Sequence, residues 1–358
     1  MLEIINIIYC LLIFSIFTIV PINIYNNTIS NKDQLLNIMI FNLAINLNIL
    51  LILSFLSFKL SLVSKTYLVI LLLILILNYS KNIKIIKINF IFLSILSIVF
   101  FILGIDLSSK LDLGWDAKWF WYIKSLYYFQ NYNFSYLSLY EFNSFHPHFG
   151  SYLWAFFREL SLNKFEYSGR IFYAFLYLSS LFFLIDKFEK NKIQNFIIIF
   201  LLLIITYNYK FFSGLQEILI FSVLAITTKL IYEYINQKKN SYLLLIILCM
   251  NLILWIKAEG IAYFMIILVA VNFIKNFRFE KRLLLIFSCF GLILFKTLIY
   301  KYFQISLNDQ PYFIEYIFNL DLQTIIFKIK NILIYGAFYS LKNIIFMLVP
   351  LIFFINYK

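Results

Sequence analysis

Charged residues are scarce in this sequence. Asp, Glu, Lys and Arg make up 13% of its 358 residues, while 63% are hydrophobic and the mean hydropathy is +0.89. A soluble domain carries about twice that charged share. An ordinary globular enzyme, a disordered chain and a fibrous repeat are therefore excluded, and the chain reads as an integral membrane protein. Cysteine is almost missing: Cys10, Cys249 and Cys289 each lie inside an apolar run without CxxC spacing, which predicts neither a disulfide nor a metal site. GxSxG, P-loop, HExxH and GxGxxG patterns are absent, which argues against a membrane esterase, ATPase, zinc protease or dinucleotide enzyme. Glycine and proline are few, and Arg occurs only at 158, 170, 278 and 282 against abundant Lys, Ile, Asn and Phe. That pattern fits an AT-rich coding bias, so the Lys and Phe counts carry no chemistry of their own.

The N-terminal MLEIINIIYCLLIFSIF lacks a basic n-region and a small-residue cleavage site before Pro21, so it reads as an anchor helix rather than a removable signal peptide. A formal charge of +13 suggests nucleic acid at first sight. The bases are scattered among lipid-length apolar runs, however, and form no continuous groove, so no nucleic-acid partner is expected.

Crossing the hydrocarbon core takes roughly 20 apolar residues per helix. That ruler places spans near 3–22, 35–57, 62–79, 88–106, 168–186, 193–209, 212–232, 241–256, 260–275 and 283–302, with one or two more over 322–357. The expected fold is all-α: a polytopic integral membrane protein with about eleven transmembrane helices and a long aromatic outer loop holding an interfacial helix. Its organisation is N-terminal spans over 1–106, a non-cytoplasmic loop with interfacial or re-entrant helices over 107–167, and a C-terminal bundle over 168–358, all in one membrane domain.

Orientation follows from the bases in short loops, which stay cytoplasmic. Four such loops, around 81–87, 186–192, 238–239 and 275–282, hold twelve bases against three acids, a net +9. The opposite side from 106 onward holds nine bases and eleven acids, a net −2. All four basic loops share one face only if 107–167 contains no full crossing. HPHFGSYLWAFFREL (146–160) then reads as a re-entrant or interface-lying segment, which is tolerated where protein buries it or a watery cavity meets it.

Residues 107–167 form the longest non-spanning stretch, and a loop of that length is usually functional or disordered. This one is too aromatic for disorder. Trp115, Trp119 and Tyr122 fall at i, i+4 and i+7, a single stripe for a helix lying at the membrane surface. Asp116 stands at the start of that helix, either as an N-cap or as a general base or metal ligand facing a lipid-borne substrate. Other polar groups emerge on the same face. Gln216 and Glu217 open one span, and Lys257 and Glu259 sit in the tight turn between two others. Ionisable groups at membrane depth point to function, the alternative being a structural ion pair of Lys257 with Glu217 or Glu259. Lys296 is a weaker candidate that snorkels to the outer surface. Both histidines occur in His146-Pro147-His148, where substrate hydrogen bonding at a cavity mouth is favoured over metal binding because no third ligand is near.

GWDAKWFWYIKSLYY (114–128), HPHFGSYLWAFF (146–157), SGLQEILIFS (213–222) and WIKAEG (255–260) together resemble the GT-C class of polytopic glycosyltransferases, within the protein mannosyltransferase and aminoarabinose transferase-like superfamily. The resemblance spans roughly 105–300. It implies a sugar donor linked to polyprenyl phosphate, an acceptor that is a glycan, lipid or protein, membrane lipid around the chain, and a site on the non-cytoplasmic face of a bacterial inner or plasma membrane. Asp116 then maps to the outer-loop base or metal contact, and Lys257 to the group that holds the lipid phosphate. Lys118 or Lys124 would assist Lys257, Glu217 and Glu259 would orient it or bind sugar hydroxyls, and Trp115, Trp119 and Trp154 would stack on sugar or isoprenoid. No nucleotide is needed at the active face and no cofactor is fixed by the resemblance, a divalent metal at Asp116 being the alternative. Two features depart from the class. About four spans precede the acidic loop rather than one, and Asp116 has only Asp112 nearby instead of an adjacent acid. The class's C-terminal soluble domain is also not found in this sequence. The competing readings are a lipid or sugar transporter or flippase, for which inverted repeats and Gly/Pro-broken helix pairs are not seen, and a surface-polysaccharide polymerase or ligase, which usually relies on basic outer-loop residues.

Overall fold

In a hydrocarbon the backbone can satisfy its own N–H and C=O groups only as a helix or a closed barrel, and unbroken apolar runs of this length favour the helix. The computed structural model describes residues 2–20, 34–56, 58–82, 90–110, 112–140, 146–185, 192–208, 210–274 and 277–305, with single positions between 321 and 334. The regular elements among them are all helical. The chain forms two compact units, 1–305 and 306–358, and the helical bundle is the first of them. The crossings expected over 322–357 lie outside the described residues, single positions apart.

The helices in chain order are α1 (Leu2–Ile19), α2 (Gln34–Ser54), α3 (Leu60–Asn82), α4 (Phe90–Ser109), a π-helical turn (Ala117–Trp121) running into α5 (Tyr122–Phe129), α6 (Phe134–Tyr140), α7 (Phe149–Leu160), α8 (Tyr167–Ile185), α9 (Lys192–Asn208), α10 (Glu217–Gln237), α11 (Asn240–Ile256), α12 (Gly260–Phe273) and α13 (Phe279–Tyr302). Five of them (α1, α2, α3, α10 and α13) are long and apolar enough to cross a membrane, and apolar segments of 10 to 17 residues occupy α4, α9, α11 and α12.

Contacts sort the helix ends into two sets. At one end, Asn6 early in α1 donates to Tyr167 (3.1 Å) and Ser168 (3.0 Å) where α8 begins. Ser54 at the end of α2 meets His148 ahead of α7, Lys110 after α4 bonds Tyr207 late in α9, and Glu217 opening α10 pairs with Lys257 after α11. At the other end, Asn42 and Asn46 of α2 donate to the carbonyls of Thr18, Phe17 and Val20 that close α1 (2.7 to 2.8 Å), and Tyr234 late in α10 packs on Phe277 before α13. Consecutive long helices therefore run antiparallel. α4 ends and α8 begins in the first set, with α5 and α7 between them in sequence.

The Asn side chains of α2 satisfy carbonyls that the last turn of α1 would otherwise leave open, and each interhelical bond of this kind contributes on the order of 0.6 kcal/mol in a membrane protein. Aromatic rings fill the space where α1, α7 and α8 meet. Phe157 stacks on Phe172 at 3.8 Å, and Phe14 meets both edge-on at 5.2 Å. α7 is too short to span, and every residue in it except Arg158 is buried, which supplies the protein cover such a segment needs.

Candidate functional site

The four resembling stretches come together at the end of the helical bundle where α10 begins. The amide of Gly114 donates to the carbonyl of Ser213 (3.0 Å), and a Cβ at Gly114 would sit 2.9 Å from the Ser213 hydroxyl. Gly214 takes φ +92°, a conformation open to glycine, and a Cβ there would lie 2.5 Å from the Trp154 ring and 3.1 Å from Ala117. Gln216 then donates to the Tyr173 hydroxyl (3.1 Å), which donates to the Gly150 carbonyl (2.7 Å). A side chain at Gly150 would overlap the Gln216 oxygen. The 114–117 turn and the start of α7 are thus both docked on residues 213–216 through glycines. Gly214→Ala should lower stability by about 2 kcal/mol or more, from overlap plus left-handed strain, visible as a lower Tm in detergent.

Glu217 is the first residue of α10 and Glu259 immediately precedes α12, positions where a helix dipole favours a carboxylate. Between them the chain leaves α11 in an extended conformation at Lys257, which sends Nζ to Glu217 (2.6 Å) and Glu259 (3.4 Å). Burial pulls the ammonium pKa down, but the Glu217 hydrogen bond and the fields of both carboxylates outweigh it, so the pKa is raised and Lys257 stays a cation. The ion pair weighed from the sequence is thus present. It is also incompletely satisfied, because the second Glu217 oxygen is buried and finds no partner among the described residues.

His146 lies in the field of this group. Burial first, then the charges of Lys124 and Lys257, opposed by Glu259, bring its pKa down to about 4 from 6.5. The unfolded chain therefore binds more protons than the folded one between those values, and stability falls as the pH is lowered through that window while staying level above it. Tm in detergent should decline between about pH 6.5 and pH 4, and His146→Asn should flatten part of that decline.

Asp116 is half-buried and takes no hydrogen bond or ion pair from any described residue. The capping role considered from the sequence is not found. A capping Asp adopts extended φ/ψ so that its side chain can reach back to the first amides, whereas Asp116 is already helical (φ −59°, ψ −39°). The π-helical turn that follows also splits the expected aromatic stripe, since its Tyr122 amide bonds Ala117 five residues back. Trp115 and Trp119 stay exposed, while Tyr122 turns inward against Trp154 (5.5 Å).

Other candidates are placed differently from the sequence reading. Lys118 is exposed and lies over Trp119 (5.8 Å). Lys124 is buried and donates to the His146 carbonyl (2.8 Å). His148 is in the core rather than at a cavity mouth, bonded to Ser54 (2.7 Å) and enclosed by Phe55, Phe134 and Trp255, because its place just ahead of the buried first turns of α7 carries it inward. His146 instead packs on Phe120 and Trp121, so the two imidazoles have different surroundings. Trp154 is fully buried with its N–H on the Glu166 carbonyl (3.1 Å), which removes it from the exposed aromatic surface. Gln216 is equally buried and acts as a strut to Tyr173. Lys296 donates to the Leu254 carbonyl (2.7 Å) beside Trp255 and Tyr300, closing the end of α11 instead of snorkelling.

The described residues around Asp116 do not fit a divalent cation. Among the described residues no group of three or more His, Cys, Asp or Glu side chains is arranged to hold one, and Asp112, the acid nearest Asp116 in sequence, faces Lys210 (3.8 Å). Sequence reasoning missed the buried Arg170, which bonds both oxygens of Glu166 (2.7 and 2.8 Å) and the Lys110 carbonyl, tying α8 to the start of the outer loop. Its signal was the i, i+4 spacing of Glu166 and Arg170. No family model, curated protein or solved structure matches the chain.

Proposed function

We propose that this protein is a membrane glycosyltransferase that moves a sugar from a polyprenyl-phosphate carrier to an acceptor hydroxyl at the non-cytoplasmic face of a bacterial inner or plasma membrane. Its fold would be a polytopic bundle of about eleven crossings, with residues 107–167 on the outer side. The observation that carries this reading is a half-buried carboxylate, Asp116, that has no partner among the described residues and sits on a turn docked directly against the segment leading into Glu217, which pairs with Lys257 beside Glu259.

Asp116 would take the proton of the acceptor hydroxyl as its oxygen bonds the anomeric carbon. The bond from that carbon to the phosphate oxygen breaks, and its electron pair leaves with the polyprenyl phosphate. An ammonium has three donors, and Glu217 and Glu259 are the two carboxylates paired with Lys257. The remaining donor is available to a phosphate oxygen, where a fixed cation stabilises the charge developing on the leaving group. Exposed Trp115 and Trp119 would meet isoprenoid or lipid at the headgroup level, as aromatic belts do. Deleting the gene should remove a specific surface glycan or glycolipid, and the wild-type chain, but not Asp116→Asn, should restore it. An unchanged glycan profile after deletion contradicts the reading.

A further inference from the structure

The seam between α5 and α7 contains more buried polar atoms than its own protein groups satisfy. Trp121 and Ser125 share a face of the outer-loop helix by i, i+4 spacing, and His148, Ser151 and Tyr152 share a face of α7 and its cap by i, i+3, i+4. The two faces meet, since Tyr128, a turn beyond Ser125, packs on His148 (6.1 Å) and Tyr152 (5.1 Å). The Trp121 N–H, the Ser125 and Ser151 hydroxyls, His148 Nδ1 and the Tyr152 hydroxyl are all buried and find no partner among the described residues, nor does the N–H of Trp255, whose ring lies against His148 at 5.8 Å. Buried polar groups are almost always paired with protein, water or ligand, so a concentration of such atoms in one seam asks for an occupant.

The serines sharpen the point. A buried helical Ser or Thr ordinarily turns back to a carbonyl of its own helix, as Ser54, Ser180, Ser222, Thr206 and Thr227 do. Ser125 and Ser151 do not. The unpaired set is also neutral and mixes donors with acceptors, which suits neither a phosphate nor a cation.

We propose that the α5–α7 seam is a binding site for neutral hydroxyl groups, those of ordered water or of a sugar. It uses none of Asp116, Glu217, Lys257 and Glu259, and only its sugar form rests on the glycosyltransferase reading. Thermal unfolding of the purified full chain in detergent decides the site, using Ser125→Ala, Ser151→Ala and Tyr152→Phe. If the hydroxyls bond an occupant, their removal lowers Tm, by roughly 2 °C per variant. If they are orphans, deleting them relieves desolvated groups, and Tm is unchanged or raised. A lowered Tm in at least two variants supports the site, and any other outcome overturns it. The source is then read by radiolytic labelling at Trp121 and Tyr152 with and without millimolar glucose or mannose. Protection from label together with a raised wild-type Tm assigns sugar, and labelling unaffected by either sugar assigns water. Loss of the site with retained sugar transfer would leave the proposed function standing, and loss of transfer with these Tm shifts intact would remove the function alone.

Discussion

Asp116→Asn should reduce sugar transfer by roughly 10² to 10⁴-fold, the range expected for removing a positioned general base, while Tm and membrane insertion stay at wild-type values. The separation of the two effects follows from the surroundings of the side chain. Asp116 makes no capping bond, hydrogen bond or ion pair with a described residue, so the neutral amide deletes no structural contact. The turn that carries it is fixed by the backbone, through Gly114 on Ser213 and the Lys118 amide on Gly114. Asp116→Glu should recover part of the rate, since a carboxylate is retained at a displaced position. If turnover of Asp116→Asn equals wild type, Asp116 is not the base.

The second large effect concerns Lys257. Lys257→Met should lower transfer by roughly 10² to 10³-fold, as for loss of a fixed group that stabilises charge in the transition state, and it should also lower Tm because Glu217 and Glu259 lose their shared cation. A structural ion pair alone would give the same single-variant result, so the discriminating experiment is the double variant Glu217→Gln, Lys257→Met. With one carboxylate gone, the uncompensated charge is reduced and Tm should recover toward wild type. If Lys257 meets the leaving phosphate, transfer stays low despite the recovered fold. Recovery of both together assigns the pair a structural role only.

Much of this end of the molecule could be read from residue types alone. A carboxylate or ammonium at membrane depth is costly, so Glu217, Lys257 and Glu259 stood out by their places at span ends, and the structure brings them within one ion-paired group. The apolar runs likewise announced helices, because no other backbone satisfies itself within such a segment. Aromatic and amide side chains were harder. Trp119 and Trp154 have the same chemistry and similar neighbours in sequence, yet one is exposed and the other wholly enclosed. The difference depends on Gly169 and Gly214, which leave room for the Trp154 ring from other elements. His148 and Gln216 were misplaced for the same reason: their partners, Ser54 and Tyr173, lie on helices distant in sequence. The π-helical turn at Ala117–Trp121 was also invisible to a period of 3.6, and it is what rotates Tyr122 away from the exposed face of Trp115 and Trp119.

Glycosyl transfer requires that the sugar–phosphate bond break. Purified protein in liposomes, given a polyprenyl-phosphate sugar labelled in the sugar together with candidate acceptors, should yield a labelled acceptor and an equal amount of free polyprenyl phosphate, with Asp116→Asn yielding neither. Passage of the intact labelled lipid from one leaflet to the other, with the bond unbroken and no dependence on Asp116, would contradict it and identify a carrier instead.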